Sequence, residues 1–328
     1  MFNQSRFTKV FSFVLVACLG VICAPLLHAQ AWPSKTIKLI VPFPPGGSTD
    51  AVGRQLAQEL TKLLGQQVIV ENKGGANGNI GSDFVAKAAP DGYTLLASGV
   101  GSNAINYSLY RSMPFADKDF AHVSMLASGP NVLVVNPDFP AKTFAEFIAL
   151  AKAAPGKYAH ASSGNGSSGH LAMKMLEIAS GISLIHVPYK GGGPAIMDTI
   201  AGQVPILFIN QDNALPQVQA GKLRALAVAS GERNPAYPTV PTIAESGFPG
   251  FSAVSWFGLT APAGTPKDVI QKLNEATAKA MNLPEMKQRL QAQGFVVVAG
   301  APQQFSDFVQ AEIVKWSKAA QVSGAQVD

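Results

Sequence analysis

Cysteine is almost absent from this chain: its 328 residues include two, Cys18 and Cys23, both close to the N-terminus. Both lie in a segment with the features of a cleaved export signal. The rest of the chain then has no thiol, which excludes disulfide bonds, thiolate zinc sites and a cysteine nucleophile.

Charge is also scarce, since Asp, Glu, Lys and Arg make up 14% of the residues and the formal net charge is +5. Loss of Arg6 and Lys9 with the leader lowers the basic count from 25 to 23 against 20 acidic residues, leaving +3. This balance is too mild for nucleic-acid binding, and no basic cluster is mixed with aromatic residues. We therefore expect no nucleic-acid partner.

Catalytic motifs are missing as well. The sequence contains no G-x-S-x-G, no H-E-x-x-H and no Walker phosphate loop. The histidines His122, His160, His170 and His186 lack the spacing of metal ligands. We expect no metal, no cofactor and no enzymatic activity.

The first 31 residues have the features of a signal peptide. Two basic residues, Arg6 and Lys9, precede an apolar run at Val10–Leu27, and Ala29-Gln30-Ala31 is a cleavage motif. We expect cleavage before Trp32 and an exported protein. An uncleaved membrane anchor is the alternative, because the apolar run is long enough to span a bilayer.

A lipoprotein is a second alternative for this segment. Leu15-Val16-Ala17-Cys18 resembles a lipidation box. The residues after Cys18 stay apolar as far as Leu27, whereas a lipoprotein would usually become polar there, so lipidation is the less favoured interpretation.

One seven-residue pattern occurs twice, about half the chain apart. Val41–Gly47 is Val-Pro-Phe-Pro-Pro-Gly-Gly, and Val187–Gly193 is Val-Pro-Tyr-Lys-Gly-Gly-Gly. Each copy ends an apolar, β-prone run and precedes residues with helical spacing. A strand that leads into a helix through a glycine-rich turn leaves free N–H groups at the positive end of the helix dipole, where anions bind. Two such turns predict an acidic ligand held from two sides.

Strand-like and helix-like runs alternate along the whole chain, which is typical of α/β folds with parallel sheets. The predicted strands are Thr36–Val41, Val68–Val70, Tyr93–Ala97, Asn131–Val135, Tyr158–Ala161, Ser183–Val187, Ile206–Ile209, Leu223–Ala229 and Phe251–Thr260. The predicted helices are Asp50–Leu64, Asn79–Ala89, one after the second glycine-rich turn, Thr143–Ala153 and three at the C-terminal end. An irregular linker is expected at Pro235–Gly250. The last helix carries an apolar stripe that we interpret as core: Phe305, Phe308, Val309, Ile313 and Trp316.

The length, about twice that of an ordinary domain, predicts two domains. We place domain 1 at residues 32–130 plus 252–328 and domain 2 at residues 131–251. The crossover strands would then be Asn131–Val135 and Phe251–Leu259. Two connections restrict relative motion to a hinge, which suits opening and closing around a ligand. Each domain is expected to be a mostly parallel sheet flanked by helices.

Several segments occur in an order that is specific when taken together. They are Trp32–Lys35, Val41–Asp50, Glu71–Gly78, Pro90–Leu95, Val187–Gly191, Ala220–Leu226, Pro241–Gly247 and Ala261–Pro266. In these motifs the chain resembles the TctC/Bug family of periplasmic solute-binding proteins, which serve tripartite tricarboxylate transporters of Gram-negative bacteria. The resemblance covers essentially the whole mature chain.

The resemblance implies a Venus-flytrap fold with a ligand cleft between two α/β domains. It also implies that the two glycine-rich turns recognise carboxylates, with ordered water between ligand and backbone amides. Ligands across the family are tricarboxylates, dicarboxylates, acidic amino acids and aromatic acids, and the partner is a membrane permease. We expect a monomer. The alternatives are an exported hydrolase that uses the serine-rich loop and His170, and a receptor that signals to a sensor kinase.

The first glycine-rich turn supplies one set of candidate ligand-binding residues: Phe43, Pro45, Gly46, Gly47, Ser48, Thr49 and Asp50. Phe43 is the expected apolar wall, and the glycine amides are the expected contacts. Ser, Thr and Asp also cap helices. Capping is favoured for Asp50, because its carboxylate would repel an acidic ligand.

The second turn supplies Tyr189, Lys190, Gly191, Gly192 and Gly193. Tyr189 matches Phe43 as an apolar wall. Lys190 could pair with a second carboxylate or be solvated, and the sequence leaves both open.

A third loop, Ser162–His170, contributes Ser162, Ser163 and Asn165 as hydroxyl and amide donors, and Ser98 is a further candidate. The loop contains G-x-G-x-x-G, but no Asp or Glu ends the next strand to hold a ribose, so a dinucleotide site is disfavoured. His170 is interpreted as a capping or packing residue.

One departure from the family pattern concerns the strand that ends near Phe208. An Asp often follows there, whereas this chain has Ile209. If that Asp reads a ligand amine or hydroxyl, an amino-acid ligand is in doubt, and Asp212 is the candidate to take its place from a shifted position.

Overall fold

The computed structural model of the protein describes residues 32–323 and Val327. The predicted signal peptide, residues 1–31, lies outside the described residues. The described residues from Lys35 onward form one compact unit. None of the helices described combines the length and the apolar content that a membrane crossing requires.

Strands and helices alternate as the sequence predicts. The strands are β1 (Ile37–Val41), β2 (Val68–Asn72), β3 (Thr94–Gly99), β4 (Phe120–Val135), β5 (Ala159–Ser162), β6 (Ile185–Pro188), β7 (Ile206–Asn210), β8 (Arg224–Val228), β9 (Val254–Pro262) and β10 (Val296–Val297). The helices are α1 (Ser48–Leu64), α2 (Asn79–Ala86), α3 (Asn106–Leu109), α4 (Phe144–Ala153), α5 (Ser168–Ser180), α6 (Gly192–Ile200), α7 (Gln211–Gln219), α8 (Lys267–Asn282), α9 (Pro284–Ala292) and α10 (Pro302–Ser323). Every predicted strand and helix overlaps an observed one, and the predicted linker at Pro235–Gly250 is irregular.

The first sheet has the strand order β2-β1-β3-β9-β4. β1 is parallel to β2 and to β3, whereas β9 is antiparallel to both of its neighbours, β3 and β4. The short β10 adds an antiparallel pairing to β4. We call this sheet as far as Pro130 of β4, together with α1, α2, α8 and α9, the first lobe.

The second sheet starts from the end of β4, at Asn131–Val135, which pairs antiparallel with β7 and β8. β5 lies between β6 and β7 and is parallel to both. We call this sheet, together with α4, α5, α6 and α7, the second lobe. The α/β class predicted from the sequence is confirmed by this arrangement.

β4 passes through both sheets, and β9 leads the chain back to the first. Pro130 of β4 pairs with Val254 of β9, and the next residue, Asn131, pairs with Asn210 of the second sheet. The chain leaves the first lobe along β4 and returns along β9, so these strands run in opposite directions. Their pairing with each other is therefore antiparallel. Their pairings with β3, β7, β8 and β10 are antiparallel as well, and the parallel arrangement expected from the sequence is found among β1, β2 and β3 and among β5, β6 and β7. The boundaries of the two predicted domains stay a prediction.

The C-terminal helix α10 packs its apolar stripe into the main core. Phe305, Val309 and Trp316 are buried, and Phe308 and Ile313 pack against the same cluster, which confirms the predicted stripe. A buried carboxylate on the same helix, Glu312, accepts hydrogen bonds from the indole nitrogens of Trp256 (3.2 Å) and Trp316 (2.8 Å). Because Trp256 lies on β9, this helix is tied to a strand that connects the lobes.

Candidate functional site

The first glycine-rich turn joins β1 to α1. Gly47 is the N-cap of α1 with extended backbone angles, and no side chain caps the helix. The amides in the first turn of a helix have no partner within the helix, so without a capping side chain they are left for solvent or a ligand. Gly46 is different, because its N–H donates to Oδ2 of Asp50 (3.0 Å).

Asp50 is fully engaged inside the first lobe. Besides Gly46, its carboxylate accepts hydrogen bonds from Arg54 Nε (2.9 Å) and Asn72 Nδ2 (2.8 Å). Burial raises the pKa of Asp50, but these hydrogen bonds and the Arg54 charge outweigh it and hold the pKa below its usual value. The Asp50 side chain is therefore ionised, and its hydrogen bonds fix the shape of the turn.

Ser48, the first residue of α1, is held by the second lobe. Its hydroxyl donates to Oδ1 of Asp212 (2.7 Å) and accepts from Nδ2 of Asn210 (2.9 Å) and of Asn213 (2.8 Å). A serine hydroxyl has one donor and two acceptor positions, so all three are used. The predicted ligand-binding residue Ser48 thus joins the two lobes in this structure.

The second glycine-rich turn joins β6 to α6. Gly191 is the N-cap of α6 at φ 109°, a conformation that favours glycine, and again no side chain caps the helix. Its N–H donates to the carbonyl of Ser163 (3.1 Å), and Tyr189 N–H donates to the carbonyl of Ser162 (3.1 Å). The turn is therefore fixed to the serine-rich loop beside it.

The two helix starts converge on one side chain. A Cβ built at Gly192, the first residue of α6, would lie 3.3 Å from Oδ1 of Asn213. The amide nitrogen of the same Asn213 donates to Ser48 at the start of α1. Asn213 itself lies in the first turn of α7, whose N-cap, Asn210, makes no side-chain cap. Three uncapped helix N-termini thus face one region, where their dipoles favour negative charge.

Asp212 places a carboxyl group among these helix starts. Burial raises its pKa to about 6, against the opposing hydrogen bonds from Ser48 and Asn213. Asp212 was a candidate from the sequence. It lies beside the first glycine-rich turn, because its carboxyl group accepts the Ser48 hydroxyl.

The serine-rich loop is the third component. Ser162 ends β5, and its hydroxyl shares a hydrogen bond with Nε2 of His186 (2.7 Å) and donates one to the carbonyl of Gly164 (3.1 Å). Ser163 is half-buried, and Asn165 is exposed. Ser162 is therefore committed to its own lobe, whereas the Asn165 side chain is at the surface.

The serine-rich loop also meets the first lobe, through a residue absent from the predicted site. Asn77 Nδ2 donates to the carbonyl of Gly166 (2.9 Å) and to Oδ1 of Asn106 (2.7 Å). Asn77 has φ 49°, a left-handed conformation that asparagine tolerates better than most residues. Asn77 lies in the Glu71–Gly78 motif, and this motif is the sequence feature that could have pointed to it.

The remaining predicted residues have other partners or lie at the surface. Ser98 is completely buried in the first sheet, where it accepts a hydrogen bond from Thr260 (2.8 Å). Phe43 is half-buried, with its ring against the backbone of Gly78. Tyr189 donates its hydroxyl to Asp198 (2.7 Å). The others are Thr49, which is buried, Gly47 and Gly192, which are half-buried, and Pro45, Gly46, Lys190 and Gly193, which are exposed.

The serine and histidine geometry gives little support for hydrolysis. Nδ1 of His170 accepts from the backbone N–H of Gly166 (3.2 Å), not from a serine. Ser162 meets His186, but burial lowers the pKa of His186 to about 4, which makes it a weak base near neutral pH. Within the part of the chain that the structure describes, no group of three or more His, Cys, Asp or Glu side chains could hold a metal ion.

Comparison with known proteins gives consistent matches. A family model described as Tripartite tricarboxylate transporter family receptor matches residues 52–324. Protein BugT of Bordetella pertussis is 39% identical over 327 residues, which cover 99% of each chain. The structure of Rhodopseudomonas palustris Rpa4515 with adipate is 35% identical, with a TM-score of 0.87 over 90% of this chain and 100% of that one. MatC from the same organism, with bound malate, is 34% identical, with a TM-score of 0.83 over 88% and 99%.

Proposed function

Because the chain belongs to the tripartite tricarboxylate transporter receptor family, we propose that it captures a small organic carboxylate between its lobes in the periplasm and delivers it to a membrane permease. The family and its structural relatives are solute-binding proteins. Delivery to a permease rests on the family alone.

The convergence of uncapped helix starts supports this proposal most directly. Asn213 lies against the first residue of α6 and hydrogen-bonds the first residue of α1. Backbone amides at these positions are neutral donors that can hold a carboxylate without a buried cation. Recognition then depends on the geometry of two fixed turns, one on each lobe.

A ligand that contacts both turns would also favour the state in which the lobes are together. Free energy for closure comes from contacts that a ligand makes in the closed state and lacks in the open one. Side-chain hydrogen bonds already join the lobes at Ser48 and Asn77. The ligand would add to an interface that the protein itself has prepared.

The relatives with bound adipate and malate favour a dicarboxylate as the ligand. Two carboxylates at the ends of a short chain suit two opposed helix starts. Tricarboxylates, acidic amino acids and aromatic acids belong to the same chemical class and complete the set to be tested.

The first experiment is a thermal-shift screen of the purified protein. The probes are adipate, malate, citrate, aspartate and benzoate, with glucose and magnesium chloride as neutral and cationic controls. A ligand at a hundred times its dissociation constant adds about 2.7 kcal/mol of stability. We expect at least one carboxylate to raise the melting temperature and to be recovered unchanged. Stabilisation by the sugar or the cation alone, or turnover of the acid, would contradict the proposal.

The variant Gly47→Asp tests the role of the first turn. An Asp side chain at an N-cap accepts the first-turn amides and would fill the anion site from within the protein. The backbone of Gly47 is extended, and the nearest atom to a new Cβ is 3.9 Å away, so Asp fits. We expect folding stability to hold while carboxylate affinity, measured by calorimetry, falls by about tenfold or more, the loss of a charge-assisted hydrogen bond.

The matched control is Gly47→Ala, which fits the same space but offers no acceptor. It should retain affinity within about threefold, since the first-turn amides stay free. Equal affinity losses in the two variants would show that the turn acts through its shape and not through its amides.

A further inference from the structure

Three histidines that the proposed binding function does not use form a stack in the second lobe. They are His160 on β5, His186 on β6 and His170 on α5. The ring centroids of His160 and His186 are 4.9 Å apart, and those of His170 and His186 are 4.0 Å apart, with planes 22° and 8° from parallel. His160 is completely buried and His170 is 8% exposed.

The stack holds both ends of the serine-glycine loop, by which we mean residues 162–167. At one end, the hydroxyl of Ser162 shares a hydrogen bond with Nε2 of His186 (2.7 Å). At the other, the backbone N–H of Gly166 donates to Nδ1 of His170 (3.2 Å). The second bond requires Nδ1 to carry a lone pair, so it exists only while His170 is neutral.

The same loop connects the two carboxylate-binding sides of the molecule. Its Ser162 and Ser163 carbonyls accept hydrogen bonds from Tyr189 and Gly191 of the second glycine-rich turn. Its Gly166 carbonyl accepts from Asn77 of the first lobe. Displacement of the loop would therefore loosen the second turn and one of the bonds between the lobes.

The surroundings disfavour a charge on any of the three rings. Burial lowers the pKa of His160 and His170 to about 3 and that of His186 to about 4, and the positive charge of Lys174 on α5 acts in the same direction on all three. His186 also lowers the pKa of the other two.

The carboxylates on α5, α6 and α7 have other partners. Glu177 pairs with Lys174 (2.7 Å), and Asp198 accepts from the hydroxyl of Tyr189. Asp212 accepts from Ser48, at the start of α1.

We propose that His170 and His186 are positioning residues: their neutral rings fix the serine-glycine loop, and acidification releases the loop and with it the ligand. The stack would make capture depend on the pH of the compartment. The release of the loop concerns the protein with or without a ligand, whereas the release of a carboxylate rests on the proposed function.

The direction of the pH dependence follows from the pKa difference between the two states. In the ordered loop the histidines have a lowered pKa and are neutral, whereas in a released loop their pKa returns toward the ordinary 6.5. The released state then binds more protons between these values. The ordered loop has its full stability above about pH 6.5 and loses it as the pH falls, by up to tenfold per pH unit for each histidine that becomes exposed.

The test is amide hydrogen exchange of the loop in the purified protein without ligand, at pH 7, 6 and 5, corrected for intrinsic exchange rates. The variant His170→Asn/His186→Gln keeps polar atoms near Nδ1 and Nε2 but cannot be protonated. His170→Leu removes the acceptor. Asp212 and Lys174 are unchanged in all variants, so differences in slope belong to the histidines.

We expect loop protection in the natural protein to fall at least tenfold more from pH 7 to pH 5 than in the double variant. His170→Leu should lose loop protection already at pH 7, with the amides of β1 unaffected. If the double variant is too unstable, each single conservative variant should reduce the slope. Identical slopes in natural and double-variant proteins, or full loop protection in His170→Leu, would overturn the proposal. Neither outcome would bear on carboxylate binding, which the thermal-shift screen tests separately.

Discussion

Asp212 is an acid placed where the protein is expected to hold an acidic ligand. It lies in the first turn of α7 and accepts a hydrogen bond from Ser48 at the first turn of α1. Burial raises its pKa to about 6, so near neutral pH it is close to the point of protonation. A carboxyl group with a raised pKa reduces the stability of the folded protein when it is ionised.

Asp212→Asn should therefore stabilise the protein at neutral pH. Asn keeps an acceptor for the Ser48 hydroxyl and removes the charge of a half-buried side chain. A raised carboxyl pKa favours the folded state when the pH is low and disfavours it as the pH rises from 3.8 to about 6. We expect a gain of roughly 1–2 kcal/mol at pH 7 that fades toward pH 4, in thermal unfolding at both values.

The control for this prediction is Asp307→Asn, which removes an exposed carboxylate on α10. It should show no comparable gain. A pH-independent effect of Asp212→Asn would mean that Asp212 is solvated in the folded protein.

At the scale of single elements, the sequence predicts those whose pattern is local. The strand before each glycine-rich turn is a short run of β-prone residues, and α10 has an apolar stripe at helical spacing, so both were predictable. β4 was predicted from Asn131, although it begins at Phe120. Gly129 and Pro130, which are residue types common in turns, lie inside this strand because it pairs with β9, more than a hundred residues away.

The site could be predicted in part for the same reason. Glycine-rich turns that lead into helices are visible locally, and these turns were identified. The partners of Ser48 are Asn210, Asp212 and Asn213, which follow it by more than 160 residues. Only the lobe-to-lobe arrangement brings them to Ser48, and no local pattern contains that arrangement.

The packing of α5 on β7 gives a prediction at the element scale. A Cβ at Gly169, near the start of α5, would lie 2.1 Å from the backbone carbonyl oxygen of Phe208 on β7. Gly169→Ala therefore forces the helix away from the strand, and overpacking of this kind costs roughly 1–3 kcal/mol or more. The urea midpoint of unfolding should fall accordingly.

Gly193→Ala is the matched control in α6. No atom lies within 4 Å of a Cβ built there, so the same methyl group meets open space. Its free energy of unfolding should be unchanged within about 0.5 kcal/mol. Because Ala has a higher helix propensity than Gly, equal destabilisation by the two substitutions would contradict the role assigned to contact with β7.

At the scale of the whole molecule, β4 and β9 carry the chain between the lobes, and side-chain hydrogen bonds also join the lobes. Asn131 of β4 and Ser255 of β9 are linked through Ser168 to Asn210, which donates to Ser48. A polar network thus runs from the connecting strands to the first glycine-rich turn. Closure and the position of this turn are therefore expected to be coupled.

Ser48→Ala/Asn77→Asp tests these bonds between the lobes. It removes the hydroxyl held by three side chains and the amide that donates to Gly166. We expect a larger radius of gyration in solution scattering of the ligand-free protein, and a carboxylate affinity about tenfold lower, since the binding-competent state is less populated. A saturating ligand should restore the smaller radius.

Ser180→Ala is the control, because the Ser180 hydroxyl bonds within α5 to Leu176. It should leave the radius of gyration and the affinity as they are. If the double variant also behaved like the natural protein, the side-chain bonds at Ser48 and Asn77 would not contribute to closure.

The central claim is that neutral backbone amides at two opposed helix starts hold the ligand. Its most direct test is a crystal structure of the protein with the best carboxylate from the screen. The account predicts carboxylate oxygens at about 2.7–3.2 Å, directly or through one ordered water, from first-turn amides of both α1 and α6. A ligand bound through Lys190 alone, or in a place that neither turn reaches, would contradict it.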